Sequence, residues 1–261
     1  MQILICNDDG VRAPGIVLLA NRMAELGHAA TVVAPDRERS GAGHSITTTS
    51  LYIDRKFFSE YDERVRTFQC CGTPADCAML GLAVAAPDAE LLISGINSGP
   101  NIGCDVFYSG TVAAAREGYF DNRRAIAVSL AMKRGDVAPH YETAVRVVES
   151  LMANLDALFE QSAPALLNVN VPNLPLSEVK GFKTTFTGRR RYRNRVQTGD
   201  SPEGERCYRL HGEPADDEEP EGSDVKAVND GFVALTFLRH DTTDYELNTR
   251  LEINVIRLRS C

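Results

Sequence analysis

The sequence predicts an α/β fold, a doubly wound and largely parallel sheet in a Rossmann-like three-layer arrangement, with a C-terminal extension. Short, predominantly apolar runs at residues 3–5, 30–34, 91–93, 125–130 and 165–171 have the character of strands buried on both faces. Stretches of helical periodicity separate them, and strands alternating with helices imply βαβ units. Beyond Pro172 the texture changes to long charged segments.

In chain order, residues 3–5 form the first strand. Ile16, Leu19, Met23 and Leu26 then recur at helical spacing, and Gly27 ends that helix. A second strand, 30–34, is stopped by Pro35, and a helix follows over 74–86 with Pro74 tolerated in its first turn. Residues 91–93 form a strand that runs into a glycine-rich turn; 111–120 is a helix and 125–130 another strand. Tyr141, Ala144, Val148, Leu151, Leu155 and Leu158 make a helical stripe before the strand at 165–171. Residues 183–195 are basic, through Arg189, Arg190, Arg191, Arg193 and Arg195, and could reach toward a phosphate or a neighbouring subunit. Residues 213–224 are acidic and read as a solvated loop. A strand pattern returns at 231–238, the tail 245–258 fits helix or strand, and no internal repeat is evident. One domain, 1–261, is expected, with 1–172 as its core, 173–261 as the extension and an extended arm at 187–224.

Apolar residues at 43 % and charged residues at 25 % fit a soluble globular chain. No stretch approaches the roughly 20 apolar residues of a membrane span. The N-terminus enters a strand without a basic segment and cleavage site, so a cytoplasmic location is expected. Seven cysteines without a C-x-x-C pair point to reduced, structural thiols. A net charge of −8 argues against a surface for polymeric nucleic acid, but a small anionic substrate needs only a local positive site.

The chemistry concentrates after the strands, where ligands of open α/β sheets bind. Asp8 and Asp9, in Asn7-Asp8-Asp9-Gly10, can converge only where the first strand has ended. Such a pair reads either as half of a site for a hard divalent cation, which prefers oxygen ligands, or as an ordinary turn. Ser40 offers a hydroxyl in the loop after the second strand. Asn97 offers a neutral oxygen, and Asn101 a donor for phosphate, in the glycine-rich run 94–103. Ser109, Gly110 and Thr111 open a helix, a place where free N–H groups and the helix dipole bind phosphate. No Walker loop occurs, and Gly10 and Gly15 lack dinucleotide-fingerprint spacing.

These segments, Asn7–Gly10 with Ala13-Pro14-Gly15-Ile16, Ala34-Pro35-Asp36 with Arg39-Ser40-Gly41, Gly72-Thr73-Pro74 with Asp76-Cys77, Ser94-Gly95-Ile96-Asn97 with Gly99 and Asn101, and Tyr108 through Ala115, resemble the SurE (survival protein E) nucleotidases. Asn168-Val169-Asn170-Val171-Pro172 also resembles the family's next strand, and the C-terminal part matches more loosely. The resemblance implies a metal-dependent phosphatase acting on nucleoside 5′- or 3′-monophosphates, with one divalent ion, Mg²⁺ or Mn²⁺, per subunit. It assigns Asp8, Asp9, Ser40 and Asn97 to the metal, and Asn101, Ser109, Gly110 and Thr111 to the phosphate. His240 falls on a functional histidine, whereas His44 occupies a variable position and is not expected to be catalytic. The arm would pair or swap with neighbouring subunits, giving a homodimer or homotetramer.

On this reading Asp8 or Asp9 also orients or deprotonates the attacking water, and His240 protonates the leaving alkoxide. Two rivals remain: a phosphatase with an aspartyl-phosphate intermediate, and a sensor that binds metal and nucleotide without turnover. Adjacent acids, rather than acids one residue apart, weigh against the first.

Overall fold

The computed structural model describes residues 1–133, 135–136, 138–159, 165–193, 196–202, 204–210 and 212–250. Its strands are β1 (Gln2–Cys6), β2 (Ala29–Pro35), β3 (Ile53–Arg55), β4 (Arg66–Cys70), β5 (Leu91–Ser98), β6 (Arg124–Ala131), β7 (Leu166–Pro172), β8 (Phe182–Thr184), β9 (Tyr192–Arg193), β10 (Val196–Asp200), β11 (Arg206–Leu210), β12 (Glu213–Pro214) and β13 (Val233–Leu238). The helices are α1 (Pro14–Glu25), α2 (Pro74–Leu80), α3 (Gly110–Phe120), α4 (Tyr141–Ala153), α5 (Leu155–Phe159), α6 (Asp224–Asn229) and α7 (Tyr245–Arg250).

The main sheet has the order β3-β4-β2-β1-β5-β6-β7-β13-β8. Strands β4, β2, β1, β5, β6 and β7 run parallel. β3 and β13 join in antiparallel fashion, and β8 pairs in parallel with β13. The chain winds outward from β1 to β2 and β4, then returns to β5 on the other side. A crevice therefore opens between the carboxyl ends of β1 and β5, the switch point at which such sheets bind ligands.

Alternating side chains on the central strands feed two cores. Ile3 and Ile5 pack with Ile16, Leu19 and Met23 of α1 and Val148 of α4. Leu4 and Cys6 pack with Cys77 and Ala78 of α2 and Val112 and Ala114 of α3. This gives the expected three layers. Each fully buried Leu or Ile contributes about 1.5–3 kcal/mol relative to exposure.

Several boundaries differ from the sequence reading. The helix over 74–86 is regular only to Leu80 and continues as a π-helical turn, Gly81–Ala85. There Gly81 lies against Leu4 so closely that a Cβ would come within 2.7 Å of its side chain. The stripe over 141–158 breaks at Asn154 into α4 and α5. The tail is helical through Arg250 and the rest of 245–258 lies outside the described residues, as does Arg195.

The charged segments answer one another, which corrects the expectation of a solvated acidic loop. β9 pairs with β12, Arg190 bridges to Asp105 at 2.6 Å and to Asp216 at 3.8 Å, and Arg193 reaches Glu218 at 3.7 Å. Beyond this root, β10 and β11 pair with each other as a hairpin whose strands are exposed along their whole length. Cys6, Cys70 and Cys77 are buried free thiols, and Cys71, Cys104 and Cys207 are exposed ones.

Candidate active site

Two adjacent acids meet at the switch point because β1 ends before them. The turn that follows is closed by Asn7, whose Nδ2 donates to the Gly10 carbonyl at 2.9 Å and whose Oδ1 accepts from the Gly10 N–H. Asp8 turns toward α3. Its Oδ1 accepts from the Thr111 hydroxyl at 2.5 Å, and the N–H groups of Gly110 and Thr111 also stabilise its charge. This approach requires glycine at 110, since a Cβ there would lie 2.8 Å from both Asp8 Cβ and Pro74 Cγ. Asp9 turns the other way, where Oδ2 accepts from the Ser98 N–H at 3.1 Å.

Burial pushes the Asp8 carboxyl up against the hydrogen bonds that hold it. Burial and the neighbouring Asp8 raise Asp9 to about 6, only partly offset by Ser98. Among the described residues neither carboxylate has an ion-pair partner, so the buried pair lacks the positive charge that ordinarily compensates such groups.

Asn97 arrives at the same crevice through an irregularity in β5. The register with β6 shifts between Ser94 and Asn97, and Gly95 at this bulge has φ +139° with the Val128 carbonyl where a Cβ would be. Asn97 Nδ2 donates to the Gly99 carbonyl at 2.8 Å, which leaves Oδ1 as its available ligand atom. Ser40 lies on an exposed loop anchored to the pair by the Arg39 N–H, 2.7 Å from the Asp8 carbonyl. Its hydroxyl donates to Glu38 at 2.8 Å. Among the described residues no three His, Cys, Asp or Glu side chains cluster as a metal site. The loops that follow these strands offer two carboxylates, an amide and a hydroxyl. That all-oxygen set, with its uncompensated charge, fits a hard divalent cation.

Thr111 touches Asp8, and Asn101 and Ser109, like it, have much of their hydrogen-bonding capacity already engaged. Ser109 caps α3 by accepting from the Val112 N–H at 3.0 Å. Asn101 is buried and clamped: its Nδ2 donates to Ser129 at 2.8 Å, and Asn168 and Asn170 both donate to its carbonyl. Sequence reasoning placed these two asparagines in a strand but gave them no role at the site, although polar residues at alternate positions of an apolar strand were the signal.

His240 is not brought to the acids. β13 runs against β7, with Leu238 opposite Leu166, so residue 240 emerges at the amino-end edge of the parallel strands. There its Nδ1 lies 3.0 Å from the Tyr119 hydroxyl, in the last turn of α3, while Asp8 meets Thr111 in the first. Eight helical residues separate these contacts by about 12 Å. The expected proton transfer from His240 to a leaving group at Asp8 and Asp9 therefore does not fit within one chain. His44 sits toward the same end of α3, beside Glu117 at 2.5 Å and stacked on Phe120.

Residues 3–194 match the family model described as Survival protein SurE. The chain belongs to the SurE family. Among similar proteins, the 5′-nucleotidase SurE of Synechococcus elongatus is 39 % identical over 260 residues, covering 97 % of this chain and 98 % of that protein. That of Gloeobacter violaceus is 43 % identical over 246 residues, covering 93 % and 91 %. The crystal structure of the SurE protein from Aquifex aeolicus superposes with a TM-score of 0.80 at 36 % identity, covering 98 % of this chain and all of that one. The similarity to that structure therefore runs past β7, beyond the residues that the family model matches.

Proposed function

We propose that this SurE protein is a metal-dependent phosphomonoesterase that hydrolyses nucleoside 5′-monophosphates, and 3′-monophosphates, to nucleoside and inorganic phosphate. The observation that carries the reading is the buried, uncompensated Asp8–Asp9 pair at the switch point. The name of its relatives, 5′-nucleotidase SurE, supports the same activity.

Asp8, Asp9, Asn97 and Ser40 would hold one Mg²⁺ or Mn²⁺. When bound, such an ion polarises the phosphoryl oxygens and offsets their charge. The chain supplies the rest. Asp8, fixed by Thr111 and the start of α3, acts as an immobile ligand. Asp9, held by the Ser98 N–H, orients the attacking water and takes its proton, then returns it to the leaving oxygen. Asn101 and residues 109–111 flank the phosphate and stabilise charge without reorganising.

The exposed β10–β11 hairpin, with Val196, Tyr208 and Leu210 in water, serves association into a homodimer or homotetramer. Free thiols throughout the described residues support a reducing, cytoplasmic setting.

Phosphate release from nucleoside 5′- and 3′-monophosphates with Mn²⁺, Mg²⁺ or EDTA, beside Asp9→Asn, tests the assignment. Metal-dependent release lost in the variant is expected. A folded protein that binds nucleotide but releases no phosphate would be a sensor instead, and a trapped phosphoryl-enzyme would make one aspartate the nucleophile.

A further inference from the structure

Three buried thiols take no part in the proposed hydrolysis. Cys6 ends β1, Cys70 ends β4 and Cys77 belongs to α2, and all three share one core. Two of them touch. The Cys77 S–H donates to the Cys70 sulfur, which also accepts from the Gly72 N–H at 3.3 Å. These donors pull the Cys70 thiol down to about 7, against burial and the nearby Asp76 and Asp36. Burial pushes Cys77 the other way. The pair is therefore asymmetric: one sulfur holds thiolate near neutral pH, and its neighbour keeps its proton. Packing alone requires no such difference, since a structural thiol acts as a small apolar side chain. Cover over the pair is thin. Cys71, the next residue, is exposed, and most of residues 45–52, which return onto this turn, are exposed too. A peroxide molecule, little larger than water, needs only a small local opening to arrive.

We propose that Cys70 and Cys77 form a reversible redox site, oxidised by hydrogen peroxide to a disulfide that loosens the loop carrying Ser40. The Cys70 thiolate attacks one peroxide oxygen, the O–O bond breaks and hydroxide leaves, so that Cys70 becomes a sulfenic acid. The hydroxide takes the Cys77 thiol proton and becomes water. The Cys77 sulfur then bonds to Cys70 and expels the sulfenic oxygen as hydroxide, which becomes a second water with the proton that Cys70 had released. Two electrons pass from the sulfurs to the peroxide, and a small dithiol returns them by exchange.

The bond acts beyond the two sulfurs because residues 70–76 hold the Ser40 loop at several points. The Cys70 carbonyl accepts from the Asp36 N–H at 2.8 Å, and the Cys71 carbonyl from Arg39 Nη2 at 2.8 Å. Thr73 Oγ1 donates to the Ser45 carbonyl at 2.8 Å, and Asp76 accepts from the Thr47 N–H at 3.0 Å. A disulfide sets its sulfurs about 2.05 Å apart, closer than any hydrogen-bonded pair. Cys70 and Cys77 draw together, and the turn between them gives up its grip on Arg39 and Ser45.

The test treats the full chain with hydrogen peroxide, unfolds it in an alkylating reagent and cuts it before aspartates. Cuts at Asp8 and Asp76 put Cys6, Cys70 and Cys77 on three different peptides. The peptides of Cys70 and Cys77 are expected to stay joined until dithiothreitol is added. On the folded chain, trypsin cleavage between Arg39 and Ser40 is expected to accelerate at least about threefold on oxidation, as local opening grows, and to slow again with dithiothreitol. Cys71→Ser should keep both responses and Cys77→Ala should lose both. No joined pair in the unsubstituted protein, or one made through Cys6 or Cys71 instead, would overturn the redox site. A joined pair with unchanged cleavage would overturn its coupling to the loop. Neither measurement reads turnover, so both stand whether or not the phosphomonoesterase reading does.

Discussion

Asn170 grips the peptide of Asn101 from both sides: its Oδ1 accepts from the Asn101 N–H at 2.8 Å and its Nδ2 donates to the Asn101 carbonyl at 3.1 Å. Both side chains are buried, so nothing else satisfies that N–H when Asn170 is shortened. Asn170→Ala is expected to cost about 1–3 kcal/mol of stability, read from urea denaturation. Because the loop after β5 loses its clamp, KM for a nucleotide should rise more than kcat falls.

Thr111→Val keeps the shape of the side chain and removes the hydroxyl that Asp8 accepts. Activity should fall about 10–100-fold, the usual effect of losing a group that orients a ligand. Metal-binding titration should weaken in parallel. A variant with unchanged activity would show that Asp8 is held adequately by the N–H groups of α3 alone.

Asp9 gives the metal-free protein a defined pH dependence. A carboxyl raised from its ordinary value to about 6 favours folding fully only while it is protonated. That contribution is lost as pH rises through the folded value, to the extent of about 3 kcal/mol between about pH 4 and pH 6. With metal removed, Asp9→Asn should therefore raise Tm at neutral pH and leave it nearly unchanged near pH 4. Added Mn²⁺ should stabilise the unsubstituted protein far more than the variant, by mass action on the folded state.

Replacing residues 196–210 by a short turn removes the hairpin but keeps Arg190 on Asp105 and Asp224 on the Gly103 and Gly188 N–H groups. The folded variant should show a lower mass in light scattering. An unchanged mass would assign association to another surface.

The central strands were legible because burial on both faces leaves an unbroken apolar run, as at Ile3–Ile5 and Leu91–Ile93. β4 escaped notice because Arg66, Thr67 and Gln69 interrupt it; its place is set by pairing with β2, not by its own pattern. The acids at 8 and 9 could be read from the chain because a turn after a strand needs only local sequence. The engagement of Thr111 with Asp8 could not, since it depends on α3 crossing the end of β1. The meeting of the basic and acidic segments was equally hidden. Charge runs read one at a time look like solvated surface, and only the pairing of β9 with β12 sets them face to face.

The distribution of thiols makes the molecule its own reporter of opening. Cys104 follows the clamped loop and Cys207 lies on the hairpin, both within reach of an alkylating reagent, as is Cys71. Cys6, Cys70 and Cys77 sit in the core beneath the acids, closed to it. Without any introduced label, the fast phase of alkylation thus dates exposure of the periphery. The slow phase dates separation of β1, β4 and α2, the elements that carry those three thiols.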